Sequence, residues 1–267
     1  MQTAATTGAL QLADDISAWL REHFEQSGAA RYVLGLSGGI DSAVVAGLAA
    51  RGIGADKVLG VLMPSASNPD DANAARLVAD AFGIPTLMVD LTDPTASLLA
   101  AMPSPENVQA ATGESDPADA RAQQLAHANL KPRLRMTTLY YVANLCGGIV
   151  LGTGNKSEAM IGYFTKYGDG GVDLKPISQL YKHEVRAVAR AIGVPQPVIE
   201  RPPSAGLWDG QTDEQEIGLT YDQLDAALAA IESGDTGDID EAVIERVQQM
   251  IRSSEHKRQP VPEMMRD

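Results

Sequence analysis

Ser37, Gly38, Gly39, Asp41 and Ser42 fall between an apolar run, Val33-Leu34-Gly35-Leu36, and a helix-forming run over residues 43–50. That order puts the glycines where the carboxyl end of a strand meets the N-terminus of a helix. Free backbone N–H groups and the positive end of the helix dipole attract anions there. The two serine hydroxyls add donors, and Gly38 and Gly39 let a phosphate come close to the backbone. Asp41 suits an anion site only with a cation between it and the phosphates, which points to Mg²⁺. No Gly-Lys-Ser/Thr closes the loop, so it is not a Walker A motif. An ordinary glycine-rich strand-to-helix turn is the alternative reading of the same residues.

A second glycine turn, Gly152-Thr153-Gly154-Asn155-Lys156-Ser157-Glu158, also follows an apolar run. Glu158 can supply another hard oxygen to Mg²⁺, and Thr153 a hydroxyl. No glycine precedes Lys156, so this is not a P-loop either. The stretch from Gly162 to Asp173 holds four glycines and two acids in a dozen residues, which no helix or strand interior accommodates. It reads as a shaped loop, the kind that usually carries a role. Lys175 and Lys182 follow, the latter near a helix start and able to reach phosphate. In Asn129-Leu130-Lys131-Pro132-Arg133-Leu134-Arg135-Met136, the two arginines suit phosphate or carboxylate. They point to different sides of a helix, so one of the two is expected to be a ligand.

These motifs need a scaffold, and the pattern supplies one. Residues 10–24 read as an amphipathic helix, 32–36 as a buried strand and 42–51 as a helix. A second strand over 57–63, a helix over 70–82 stopped by Gly83, and a third strand over 85–89 complete a βαβαβ rhythm. That rhythm predicts an α/β fold, a doubly wound parallel sheet with helices on both faces, binding ligands at the strands' carboxyl ends. Residues 93–119 read as a short helix with a surface loop, 134–145 as a buried helix with Pro132 in its first turn, and 148–151 as a fourth strand. An amphipathic helix over 178–192, a loop over 200–216, and helices over 221–232 and 240–253 follow. One or both of the irregular stretches, 163–172 and 200–216, are expected to be poorly ordered without substrates and to close over the site when substrates bind. No internal repeat or second domain is visible, so one domain over 1–267 is expected.

Length and apolar content suit a full core. No signal-peptide pattern or membrane-length apolar run occurs, and Cys146 alone excludes an internal disulfide. Cys146 lies in an apolar helical stretch and reads as core. These features predict a cytoplasmic protein without a membrane partner. A net charge of −14 argues against a nucleic-acid partner. Yet five of the seven lysines lie between Lys131 and Lys182, beside glycine turns, as a local anion pocket requires.

The first loop resembles the pyrophosphate loop of the N-type ATP pyrophosphatases. Together, the stretches 34–42, 129–136, 152–158, 162–173, 180–185 and 254–258 resemble the NAD synthetase family in order and spacing, over nearly the whole chain. The resemblance implies an adenine nucleotide alpha hydrolase-like fold and an ammonia-dependent, amide-forming ligase that converts deamido-NAD and ATP to NAD, AMP and pyrophosphate through a nicotinyl adenylate. It implies that Gly35, Leu36, Ser37, Gly38, Gly39, Ile40, Asp41 and Ser42 hold the ATP phosphates, that Thr153, Lys182 and Ser204 contact ATP, and that Asp41 and Glu158 hold Mg²⁺. Asp41 and Lys182 are the implied catalytic pair. Arg133, Lys166, Asp173, His256 and Lys257 are the implied contacts to deamido-NAD. A homodimer with the site near its interface is also implied. Ser204 stands where the family usually has threonine, and Pro132 where it usually has alanine. The tail after Arg258 lacks the family's aromatic, acidic ending and is assigned no role. Free ammonia is the expected nitrogen donor, since no activated cysteine for a glutaminase is evident. A related ligase of another substrate, such as a GMP synthetase-like or tRNA-modifying enzyme, and a non-catalytic nucleotide-binding module are the competing classes. Acidity and the deamido-NAD motifs weigh against the first, and the paired carboxylates against the second.

Overall fold

The computed structural model describes residues 2–113, 120–204, 206, 208 and 210–265. Among them, four parallel strands form one sheet: β1 (Arg31–Gly35), β2 (Val58–Leu62), β3 (Thr86–Met88) and β4 (Gly148–Val150). Their order is β3-β2-β1-β4. Tyr32 pairs with Val58 on one side and with Ile149 on the other. The chain steps outward from β1 to β3, then returns to lay β4 on the far side of β1. The crevice where direction reverses lies at the carboxyl ends of β1 and β4, which is where open α/β sheets bind ligands. Leu151 forms one further parallel bridge to Leu174.

Helices make the connections. α1 (Gln2–Ser27) precedes β1, α2 (Ile40–Ile53) joins β1 to β2, and α3 (Pro69–Phe82) joins β2 to β3. α4 (Thr92–Ala101), α5 (Pro105–Thr112), α6 (Ala120–Ala128) and α7 (Leu130–Cys146) lie between β3 and β4. α8 (Lys156–Ile161), α9 (Lys182–Ile192), α10 (Gln196–Ile199), α11 (Asp213–Ile217), α12 (Tyr221–Ser233), α13 (Glu241–Ser253) and α14 (Glu255–Arg258) follow. Successive β1 side chains point to opposite faces. Tyr32 and Leu34 enter a core with α1, α2, α3 and α9, whereas Val33 enters one with Val142 and Ala143 of α7. Both faces of β1 are thus covered, which is why its sequence is a continuous apolar run. A third apolar cluster, with Leu224, Leu228, Ile244 and Val247, ties α8, α12 and α13 together.

Local signals explain the boundaries. Asn68 caps α3 by accepting from Asp70 N at 3.0 Å, Pro69 occupies its first turn, and Gly83 ends it in the left-handed region. Ser104 and Pro105 start α5 in the same way, so 93–113 holds two helices rather than one; residues 114–119 of that expected loop lie outside the described residues. The helix expected from residue 178 begins at Lys182, because 176–179 form a turn closed by Leu180 N to Ile177 O at 3.0 Å. The loop expected over 200–216 ends early: Thr212 caps α11, which starts at Asp213. Residues 205, 207 and 209 of that loop lie outside the described residues. No helix among the described residues is long and apolar enough to cross a membrane.

Candidate active site

β1 ends at Gly35, and the chain turns through Ser37, Gly38 and Gly39 into α2. No side chain caps α2 at Gly39, so the helix N-terminus keeps its electropositive character toward the crevice. Gly38 has φ +81, and a Cβ there would sit 2.4 Å from Asp71 O, so only glycine fits. Arg201 holds this turn from outside, donating to Gly38 O at 3.3 Å and to Asp71 Oδ1 at 2.7 Å. The Ser42 hydroxyl is buried and donates to Gly39 O at 3.0 Å, while Ser37 N donates to it at 3.3 Å. Ser42 therefore shapes the turn from within. Leu36 and Ile40 bury their side chains, leaving only backbone for a ligand.

Asp41, in the first turn of α2, meets the second glycine turn. Its Oδ1 accepts from Asn155 Nδ2 at 3.0 Å, and its Oδ2 from Lys182 Nζ at 2.6 Å. The same ammonium donates to Glu158 Oε1 at 3.1 Å. Asn155 is also the cap of α8, its Oδ1 accepting from Glu158 N at 3.0 Å. Lys182 is only 1% exposed and lies 4.6 Å from the centroid of the Tyr221 ring. The Tyr221 hydroxyl donates to Glu158 Oε1 at 2.8 Å and approaches Asp213 Oδ2 at 3.1 Å. Burial pushes Glu158 up to about 7, with Asp41 and Asp213 adding to the rise against the pull of Lys182. Burial alone would lower the Lys182 pKa, but the two carboxylates outweigh it and hold it above the ordinary lysine value.

Asp41 and Glu158 thus offer carboxylate oxygens to a common space. Among the described residues, no three His, Cys, Asp or Glu side chains group as a metal cage. Two carboxylates in a crevice fit a small, oxygen-preferring divalent cation that takes its remaining ligands from phosphate and water.

A second group of candidates gathers at the 162–173 loop. Arg133 is exposed on α7 and approaches Lys166 O at 3.5 Å. Lys166 Nζ donates to His256 O at 2.7 Å. Lys257 Nζ donates to Gly162 O at 2.8 Å and Phe164 O at 2.9 Å, and burial lowers its pKa. Four of the five residues ascribed to deamido-NAD therefore share one wall. Asp173, at the end of the loop, stands apart beside β4, accepting from Tyr140 OH at 2.9 Å and Val150 N at 2.8 Å. The loop is tightly built: Thr165 N donates to Asp169 Oδ1 at 2.9 Å, Gly168 N to Thr165 O at 2.9 Å, and Gly171 N to Gly168 O at 2.9 Å. Tyr167 holds φ +60, rare for a residue with a side chain.

Thr153 is half-buried beside Gly152. The Ser204 hydroxyl donates to Gln211 O at 2.7 Å, closing its own loop. Of the two arginines, Arg135 turns inward and donates to Met63 O at 3.3 Å, which leaves Arg133 as the ligand candidate. Cys146 Sγ donates to Ala143 O at 3.6 Å within its helix turn. The sequence reading missed Asn155, Tyr221, Asp213 and Arg201. Asn155 had a signal, an asparagine three residues before Glu158 at a helix start; the others had none.

The description of the family that matches residues 12–261 is NAD synthase. An NH(3)-dependent NAD(+) synthetase of Methanococcoides burtonii is 44% identical over 85% of this chain and 81% of its own. One of Methanocaldococcus jannaschii is 42% identical over 95% of this chain and 97% of its own. The solved structure of the NMN synthetase of Francisella tularensis superposes with a TM-score of 0.81 at 30% identity, covering 96% of this chain and 98% of its own. With two glycine turns meeting at the switch point of the sheet, and a family match over nearly the full length, this chain belongs to the NAD synthase family.

Proposed function

We propose that this protein amidates deamido-NAD with ammonia at the expense of ATP, giving NAD, AMP and pyrophosphate through a nicotinyl adenylate. The observation that carries the reading is the Asp41–Lys182–Glu158 group at the switch point, beside an uncapped helix N-terminus and a wall of basic side chains. ATP is assigned to the 35–42 turn, with its phosphates on the N-terminus of α2 and further contacts from Thr153, Lys182 and Ser204. Deamido-NAD is assigned to Arg133, Lys166, Asp173, His256 and Lys257. Mg²⁺ is the cation assigned to Asp41 and Glu158, where it would screen the phosphate charge and favour the departure of pyrophosphate.

The chemical problem is to bring the nicotinate carboxylate onto the α-phosphorus of a polyanion. The α2 N-terminus offers backbone N–H groups, and Lys182, held protonated by its carboxylate neighbours, offers a positive charge that follows the pyrophosphate as it leaves. Binding both substrates in one crevice converts their encounter into an intramolecular step. Ammonia then attacks the acyl adenylate and releases AMP. Cys146 is bonded into its own helix, so ammonia itself is the assigned nitrogen donor. We further assign the reaction to the cytoplasm, to one domain over 1–267, and to a homodimer. The exposed Tyr141 and Leu145, one turn apart on α7, support self-association on that face.

The test is a product assay with ATP, Mg²⁺, ammonium and deamido-NAD. NAD, AMP and pyrophosphate are expected in equal amounts. Without ammonium, labelled pyrophosphate should still exchange into ATP, and ammonia-free glutamine should not replace ammonium. A parallel arm with nicotinic acid mononucleotide addresses the structural likeness to an NMN synthetase. Preferential turnover of that mononucleotide would overturn the substrate assignment.

A further inference from the structure

Lys182 is a flexible side chain asked to hold one position between two carboxylates, and something must fix its backbone. Lys182 and His183 are the first two residues of α9, whose leading N–H groups have no partner within the helix. Ser157 Oγ, fully buried, accepts from Lys182 N at 3.0 Å. Asp225, on α12 and 4% exposed, accepts from His183 N at 3.0 Å through Oδ2. Its Oδ1 accepts a short hydrogen bond from the Ser157 hydroxyl. One carboxylate therefore joins α12 to the starts of both α8 and α9. The residue after Ser157 is Glu158, and the residue before His183 is Lys182.

We propose that Asp225 is a positioning residue for the amidation reaction, acting through Ser157 and the α9 N-terminus to set the approach of Lys182 to Glu158. Its negative charge at the start of α9 also matches the helix dipole. The imidazole of His183 contacts Asp225 Oδ2 at 2.9 Å, but that ring is 59% exposed and lies outside the path to Lys182. The proposal rests on the assignment of Lys182 to ATP made above.

The experiment compares ATP affinity, by equilibrium titration in Mg²⁺, for Asp225→Asn in the native and the Lys182→Ala backgrounds, together with steady-state kinetics. In the native background, Asp225→Asn is expected to weaken ATP binding about tenfold. It should lower the rate of pyrophosphate exchange about a hundredfold while leaving KM for deamido-NAD unchanged. In the Lys182→Ala background the same substitution should leave ATP affinity unchanged, because the group it positions is gone. Equal weakening in both backgrounds would show a purely structural cap and overturn the proposal. Ser157→Ala removes one hydroxyl and no charge, is the second variant should Asp225→Asn fail to fold, and should show the same background dependence on a smaller scale. His183→Ala should leave the kinetics unchanged; a loss equal to that of Asp225→Asn would mean the carboxylate acts through the imidazole and would also overturn it. If Lys182→Ala alone leaves ATP affinity intact, the assignment of Lys182 fails, and the role of Asp225 with it.

Discussion

Each oxygen of Asp41 carries one hydrogen bond, from Asn155 and from Lys182. Asparagine there keeps the shape and loses the charge that a divalent cation and Lys182 need. Asp41→Asn should therefore cut pyrophosphate exchange about a hundredfold or more while the protein still folds, at a lower thermal midpoint because the buried Lys182 loses one of its two carboxylates. Near-normal exchange at ordinary Mg²⁺ would refute the metal assignment. Glu158 supports a second prediction. Its native value, raised from 4.5 to about 7, means that the folded protein binds more protons than the unfolded chain between those values. Its contribution to stability is therefore fully present below 4.5 and is lost as pH rises through about 7. In the metal-free protein, stability relative to Glu158→Gln should fall from about pH 5 to about pH 8, and saturating Mg²⁺ should abolish the slope. A flat difference would mean that Glu158 titrates normally. Asp41, Glu158 and Lys182 could be found in the sequence because each stands at a glycine turn or helix start, where residue type alone suggests chemistry. Tyr221, Asp213 and Asp225 could not. They act by holding other side chains, and a helix that begins Thr220-Tyr221-Asp222-Gln223 announces its cap but not what it faces.

The elements carry their own tests. α1 and α2 touch at Gly52, where a Cβ would lie 2.7 Å from the backbone oxygen of Ser17. Alanine gains about 0.5–1 kcal/mol of helix propensity. The clash is with main chain, which yields poorly, and overpacking costs about 1–3 kcal/mol. Gly52→Ala should lower the thermal midpoint without altering KM for either substrate; a higher midpoint would show that the two helices can slide apart. The 162–173 loop has internal hydrogen bonds and two from Lys257. Its amides should resist hydrogen exchange before any substrate is added, and Lys257→Ala should release them. Rapid exchange in the parent protein would return the loop to the mobile class. Strands and most helices were legible because alternation, capping residues and glycine stops agree. The start of α9 was not, since the expected helix over 178–192 ran into the turn at 176–179, whereas the start is fixed by Tyr181 N donating to Glu184 and Lys182 N to Ser157.

For the molecule as a whole, the α7 surface leads to a measurement of mass. Tyr141 and Leu145 are 65% and 72% exposed, so sedimentation should report two chains per particle, and Leu145→Glu should shift it toward one. A monomeric parent would refute the dimer. The α/β class was readable from periodicity, whereas strand order was not, because β4 could have been added at either edge. Its actual place beside β1 decides how the site comes into being. The bond from Lys182 to Asp41 joins residues 141 apart in sequence, and that from Arg201 to Gly38 joins residues 163 apart. Contacts of such separation are slow to form, because chain entropy is lost before they repay it. During synthesis the phosphate turn emerges early, but it waits for α9 before its aspartate meets the lysine. A chain halted before α9 has the β1 turn but lacks the Lys182 contact to Asp41. At the site proposed above, ATP with its cation would stabilise only chains that have folded to that point, and its binding would act as a late checkpoint on the folding of the scaffold.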